Sequence, residues 1–424
     1  MLHLPYGHTT IPLDETNMRV VASRLDELHT TKPGDRIVQE AMARPIGSKR
    51  LYELAKGKRT CTLIVSDHTR PVPSRDILPA MLGELRRGNP DIAVSLLVAT
   101  GCHRETTKRE LTEKLGESIV SSERIVVHDC AADQANVQIG VLPSGAPLVI
   151  DRLAADTDLL IAEGFIEPHF FAGFSGGRKS VLPGVCDRVT VLGNHCSEFI
   201  DSPFARTGIL EGNPIQKDMI EAARLAKLAY IVNVVIDENK KTVAAFAGDP
   251  IEAHAAGCAF LRPYCEVSAE ACDIVVTTNG GAPLDQNIYQ CVKGLATAEA
   301  AAKDGGVLVI LAECADGTGG DTFLRSIADC GSPAALYASI MATPQNETIP
   351  DQWQSQILAR ILMRHRVIFV TRAELANTVR ALKIEFAPTL EDALRLARQL
   401  KGDDASVTVI PSGVSVIVKK AIAG

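Results

Sequence analysis

Residues 159–179 read LLIAEGFIEPHFFAGFSGGRK. The opening run, Leu159–Ala162, is apolar without alternation, as in a strand covered on both faces of a sheet. A polar, glycine-rich turn follows, with Glu163, Glu167 and His169, and then Gly173-Phe-Ser-Gly-Gly-Arg-Lys179. The same order recurs along the chain. Thr62–Ser66 leads into Asp67-His-Thr-Arg-Pro-Val-Pro73, and Ile92–Ala99 into Thr100-Gly-Cys-His-Arg104. Ile274–Thr277 leads into Asn279-Gly-Gly-Ala-Pro-Leu-Asp285, and Val307–Ala312 into Glu313-Cys-Ala-Asp-Gly-Thr-Gly-Gly320. Further strands are expected at 124–128, 231–236, 367–370 and 407–410. Helical patterns fall between them, at 74–87, 107–115, 213–225, 250–260, 287–303, 352–364 and 389–400. Thr389 is expected to cap the last of these.

Strands alternating with amphipathic helices define an α/β protein with mainly parallel sheets. At 424 residues the chain is long enough for two domains. The expected division is 1–268 and 269–424, with the boundary between 265 and 272. Ligands bind outside the carboxyl ends of such strands, so the five polar turns predict one composite site in an interdomain cleft.

Composition narrows the partners. The formal charge is −7 and aromatics make up 4%, which argues against a nucleic-acid binder with a basic face or a stacking platform. No apolar run reaches the roughly 18 residues of a membrane span, and the start carries no basic and apolar leader. A cytoplasmic protein acting on a small molecule is expected. The 11 cysteines are odd in number, scattered and without a CxxC. They read as reduced thiols, and Pro263 interrupts the sevenfold spacing of Cys258, Cys265 and Cys272.

The turns carry the chemistry. Glycines at 173, 176 and 177 let backbone N–H groups approach an anion, with Arg178 and Lys179 adding charge; the plainer alternative is a tight turn with exposed basic residues. The stretch is neither GxxxxGK[ST] nor GxGxxG. His103 and His169 both follow strand ends, where paired imidazoles supply an acid and a base. His195 is either a helix-start residue or a metal ligand. Asp67 and Arg70, three apart, are an ion pair or a carboxylate fork with its orienting acid. Gln290 and Lys293 share a helix face, and Trp353, the single tryptophan, belongs to a core or lid.

Together SDHTRPVPS (66–74), ATGCHR (99–104), EPHFFAGFSGGRKSVLPG (167–184), GNH (193–195) and NGGAPLDQNIYQCVKG (279–294) resemble the nickel-dependent lactate racemase family of 2-hydroxy-acid racemases and epimerases. The resemblance spans nearly the whole chain. It implies a nickel-pincer nucleotide, a pyridinium mononucleotide with two sulfur-bearing arms, made by separate cofactor-synthesis proteins. It implies covalent attachment at Lys179 and nickel ligation by His195, with Asp67, Thr69, Arg70, Ser175, Gly176 and Gly177 around the cofactor. His103 and His169 are then the acid/base pair. Arg70, Tyr289, Gln290, Lys293 and Trp353 are then the substrate contacts. The implied reaction inverts C2 of a short 2-hydroxy acid by reversible hydride transfer. Malate, an aromatic 2-hydroxy acid or a sugar acid are the alternative substrates. A non-catalytic cofactor-binding protein is the alternative of another class, and a metal-dependent dehydratase a more distant one. To attack a cofactor arm Lys179 must be neutral, and the neighbouring Arg178 cation is expected to lower its pKa.

Overall fold

The computed structural model describes residues 1–420. The nine apolar runs all form strands, and they sort into two six-stranded sheets. The first contains β1 (Thr60–Ser66), β2 (Ala93–Ala99), β3 (Arg124–Val127), β4 (Leu159–Phe165), β5 (Leu228–Ile236) and β6 (Thr242–Gly248), in the order 6-5-4-1-2-3. Only the edge strand β6 is antiparallel. The second contains β7 (Cys272–Thr278), β8 (Ala302–Leu311), β9 (Arg366–Val370), β10 (Glu385–Ala387) and β11 (Val407–Ile410), with Arg19–Val20 at one edge. It is parallel throughout.

Neighbouring strand residues face opposite layers. Leu63 and Val65 of β1 join one apolar cluster with Leu78 and Leu85 of the helix Ser74–Gly88. Ile64 joins a second cluster, which also contains Leu308, Ile310 and Phe369 of the other sheet. The two sheets therefore share one continuous core on their facing sides.

The structure adds to the expectations or differs from them at several points. The hairpin Leu2–Tyr6/Thr9–Leu13 buries Leu4 and Leu13 against β7, β8 and β9, so residues 1–20 pack with the second sheet although they precede the first. The expected boundary falls within the short strand Glu266–Ala269, which pairs with Ile417–Lys420. The helix Glu252–Cys265 runs through Pro263. A proline in the last turn forfeits one hydrogen bond, and the Pro263 and Tyr264 carbonyls accept from Arg24 Nη2 and Arg24 N instead. The helix expected to reach 303 ends at Ala301 and passes directly into β8.

Candidate active site

In the first sheet the chain builds β1, β2 and β3 outward and then returns to place β4 on the other side of β1. Such a reversal opens a crevice at the carboxyl ends. A cleft of ≈ 570 Å³ lies there, closed on the other side by the helix Ile288–Ala301, the turn after β8 and the start of the helix Gln352–Arg364. Asp67, Thr69, Arg70, His103, His169, Ser175, Gly176, Gly177, Lys179, His195, Tyr289, Gln290, Lys293 and Trp353 all line it. Residues more than 280 positions apart thus meet in one cavity, most of them because they follow a strand end or open a helix.

Asp67 is buried and accepts from His103 Nδ1 at 2.7 Å and from Thr69 Oγ1 at 2.7 Å. Burial alone would raise its pKa, but His103, Arg70 and Thr69 together outweigh it and keep the carboxylate ionised. An ionised carboxylate only accepts, so His103 Nδ1 carries a proton. Asp67 is committed to His103, and no ion pair joins it to Arg70 among the described residues. Arg70 Nη1 is buried without a hydrogen-bond partner. The Arg70 loop is held from behind, where Lys114 Nζ donates to the Arg70 carbonyl at 2.8 Å.

His169 has the opposite arrangement. It sits in the two-residue pairing of Pro168–His169 with Gly173–Phe174, and its Nδ1 accepts from Ala172 N at 3.2 Å. The neutral ring therefore carries its proton on Nε2. Burial, followed by Lys179, Lys293 and Arg70, pushes its pKa well below the usual value. Phe171 stands edge-on to both His169 and His195, at 4.6 and 5.1 Å between centroids, and Trp353 meets His195 at 5.0 Å. This row of rings crosses from the first sheet to the second. His195 ends the helix Arg188–Asn194. Burial and then Lys179 lower its pKa to about 3, leaving a neutral imidazole of the kind that ligates a metal.

The turn after β4 separates its two basic residues. Gly176 and Gly177 have φ of 86° and 55°, and Gly177 N donates to Asn233 Oδ1 at 2.7 Å. The resulting twist sends Lys179 into the cleft and Arg178 into the core. Arg178 is 1% exposed, with Nη2 donating to the Ala172 carbonyl at 2.8 Å and Nη1 3.0 Å from His254 Nε2. Arg178 is thus a buried clamp on the turn, contrary to its reading as an anion contact. Lys179 is in no ion pair among the described residues, and its Nζ lies 5.6 Å from the centre of the Phe171 ring. Removal from water, then Arg178, Arg70 and Lys293, push its pKa well below the usual value. Arg178 acts in the expected direction, but burial is the larger cause.

On the second side Asn287 caps the helix Ile288–Ala301, its Oδ1 accepting from Gln290 N at 2.9 Å. Gln290 and Lys293 are thereby aimed into the cleft from one face. Burial and then Arg70 lower the Lys293 pKa to about 7, opposed by Glu167 and Asp67. The run Asn279–Asp285 is structural, with Asp285 Oδ2 accepting from Gly7 N and Glu313 N at 2.7 and 3.2 Å. Three acidic residues of the cleft wall, Glu163, Asp316 and Asp351, were absent from the expected site. Glu163 lies within β4, two residues before its end, and accepts from Ser74 Oγ at 2.7 Å. Nothing in the local sequence around Asp351 marks it.

An Asp–His pair, a second histidine bonded the opposite way, and buried lysines in no ion pair among the described residues line one cleft of an α/β protein with two sheets. Residues 6–208 match the lactate racemase N-terminal domain family, and residues 267–418 the lactate racemase C-terminal domain family. The lactate racemases of Thermoanaerobacterium thermosaccharolyticum and Lactiplantibacillus plantarum are each 49% identical, over 99% of this chain and 99% of theirs. The structure of the lactate racemase apoprotein from T. thermosaccharolyticum superposes with a TM-score of 0.93, covering 99% of both chains. A Thermotoga maritima protein, 17% identical with a TM-score of 0.69 over 91% of this chain and 98% of its own, shares the fold. The chain belongs to the lactate racemase family and is a racemase, an isomerase. No helix among the described residues is long and apolar enough to cross a membrane.

Proposed function

We propose that the protein interconverts the enantiomers of lactate, in the cytoplasm, with a nickel-pincer nucleotide supplied by cofactor-synthesis proteins. The observation that carries this reading is the opposed hydrogen bonding of two histidines in one cleft. His103 Nδ1 donates to Asp67, whereas His169 Nδ1 accepts from Ala172 N. A racemase needs an acid/base group for each hand of the substrate, and two imidazoles in one cleft supply the pair.

The residues fit the cofactor. Lys179 is a buried amine in no ion pair among the described residues, and His195 is a buried imidazole with a lowered pKa. Buried Arg70 Nη1 lacks an acceptor. Among the described residues no cluster of three or more His, Cys, Asp or Glu forms a metal cage. His195 therefore suits a metal that arrives with most of its ligands in place. When bound, the nucleotide supplies the acceptor and donor of hydride at C2.

Residues of 1–268 hold the cofactor: Lys179 by covalent attachment, His195 on nickel, and Asp67, Thr69, Arg70, Ser175, Gly176 and Gly177 around it. Residues of 269–424 meet the substrate. Lys293, Gln290 and Arg70 hold its carboxylate, while Tyr289 and Trp353 wall the cleft. His103 Nε2 takes the hydroxyl proton of one enantiomer, and Asp67 stabilises the imidazolium that forms. For the other enantiomer His169 serves as the base. It must first move its proton to Nδ1, giving up the bond from Ala172 N. The row of Phe171, His195 and Trp353 excludes water from the reacting centre.

Intact mass and nickel content test the assignment on protein co-produced with the cofactor-forming proteins. A covalent adduct absent from Lys179→Ala, and nickel lost from His195→Ala, are the expected results. An adduct that survives Lys179→Ala contradicts the attachment site.

A further inference from the structure

Asp351 is the N-cap residue of the helix Gln352–Arg364, yet its side chain makes no bond to that helix. Aspartate at this position ordinarily does. Its backbone is left-handed, with φ of 64°, a conformation that costs energy outside glycine and persists where the surroundings enforce it. The carboxylate is turned across to the helix Asp321–Ala328. A Cβ placed on Gly320 would lie 2.8 Å from Asp351 Oδ2, and the Phe323 backbone faces the carboxylate as a hydrogen-bond donor. The Tyr289 hydroxyl is its other donor; burial pushes the Asp351 pKa up, opposed by these two donors and by Arg188. Asp351 lines the cleft.

We propose that Asp351 is a specificity-determining residue, a fixed negative charge on the cleft wall that restricts the enzyme to 2-hydroxy acids with uncharged side chains and rejects 2-hydroxy dicarboxylates. The inference rests on the reading of the cleft as a 2-hydroxy-acid site. Arg70, Gln290 and Lys293 take the C1 carboxylate. His103 then fixes C2 between that cationic end and the wall made by Tyr289, Trp353 and Asp351. The substrate side chain points toward this wall. A methyl group meets the rings there, whereas a second carboxylate meets Asp351 in a cleft with little water to screen the two charges. Discrimination by like-charge repulsion requires no added contact with the favoured substrate.

Asp351→Asn removes the charge and keeps the shape and the acceptor for the Phe323 N–H. Asp351→Ser is a second uncharged variant. The experiment measures kcat/KM for malate and for lactate on cofactor-loaded protein, with nickel content matched. The malate-to-lactate ratio is expected to rise at least about tenfold in both variants. Wild-type protein that turns over lactate, with a ratio unchanged within about twofold in both variants, overturns the role of Asp351 alone. Loaded wild-type protein that converts neither acid overturns the reading of the site, and this inference with it.

Discussion

Lys293 is a lysine whose charge depends on its surroundings. Among the described residues it forms no ion pair, and burial beside Arg70 brings its pKa to about 7. A lowered lysine pKa means that the ammonium form is present below about 7 and lost above it. Its hold on a substrate carboxylate should weaken as pH rises. The KM for lactate is expected to increase from about pH 6 to about pH 9, and Lys293→Arg, which stays charged, should flatten that rise. An identical rise in both proteins would remove Lys293 from carboxylate binding. At this scale the sequence was readable where chemistry follows a strand end. His103, His169, Lys179 and His195 stand in short motifs and do meet in the cleft. Arg178 was misread because adjacent residues turn opposite ways at the two positive-φ glycines before it. Asp351 was invisible because its importance comes from Gly320, Phe323 and Tyr289, which reach it only through tertiary packing.

At the level of elements, the turn after β4 is the part most sensitive to a single atom. A Cβ on Gly176 would lie 2.6 Å from Asn233 Oδ1 and 2.8 Å from the Phe165 carbonyl, at a φ of +86°. The carbonyl belongs to the end of a central strand and cannot retreat. Gly176→Ala is therefore expected to destabilise the protein by about 1–3 kcal/mol, read as a lower denaturant midpoint with an unchanged slope. A midpoint equal to that of the parent would mean the turn is softer than its packing implies. Central strands and long helices were legible because their burial pattern is local. Thr389 caps its helix as expected, with its side chain accepting from Asp392 N at 3.1 Å. The hairpin at Leu2–Leu13 and the edge strand β6 were not legible. Short pairings of this kind owe their stability to the distant surface they cover; for the hairpin that surface is the second sheet.

Across the whole molecule, two sheets share one apolar core and leave a cleft at their carboxyl ends. Arg104, next to His103, lies 3.7 Å from Asp316 of the turn after β8, joining the two walls of the cleft. The α/β class and the cleft could be read from the order of apolar runs and polar turns. The return of residues 1–20 to the second sheet could not, because it depends on a contact between opposite ends of the chain. The central claim, that this cleft inverts lactate with two histidines, is tested most directly by chiral chromatography. Protein carrying verified cofactor mass and nickel would be incubated with each lactate enantiomer separately. Both reactions are predicted to reach the same equal mixture, and loaded His103→Asn protein should approach it slower by about 10²-fold or more. No conversion of either enantiomer by fully loaded protein, or conversion undiminished in His103→Asn, would contradict the account.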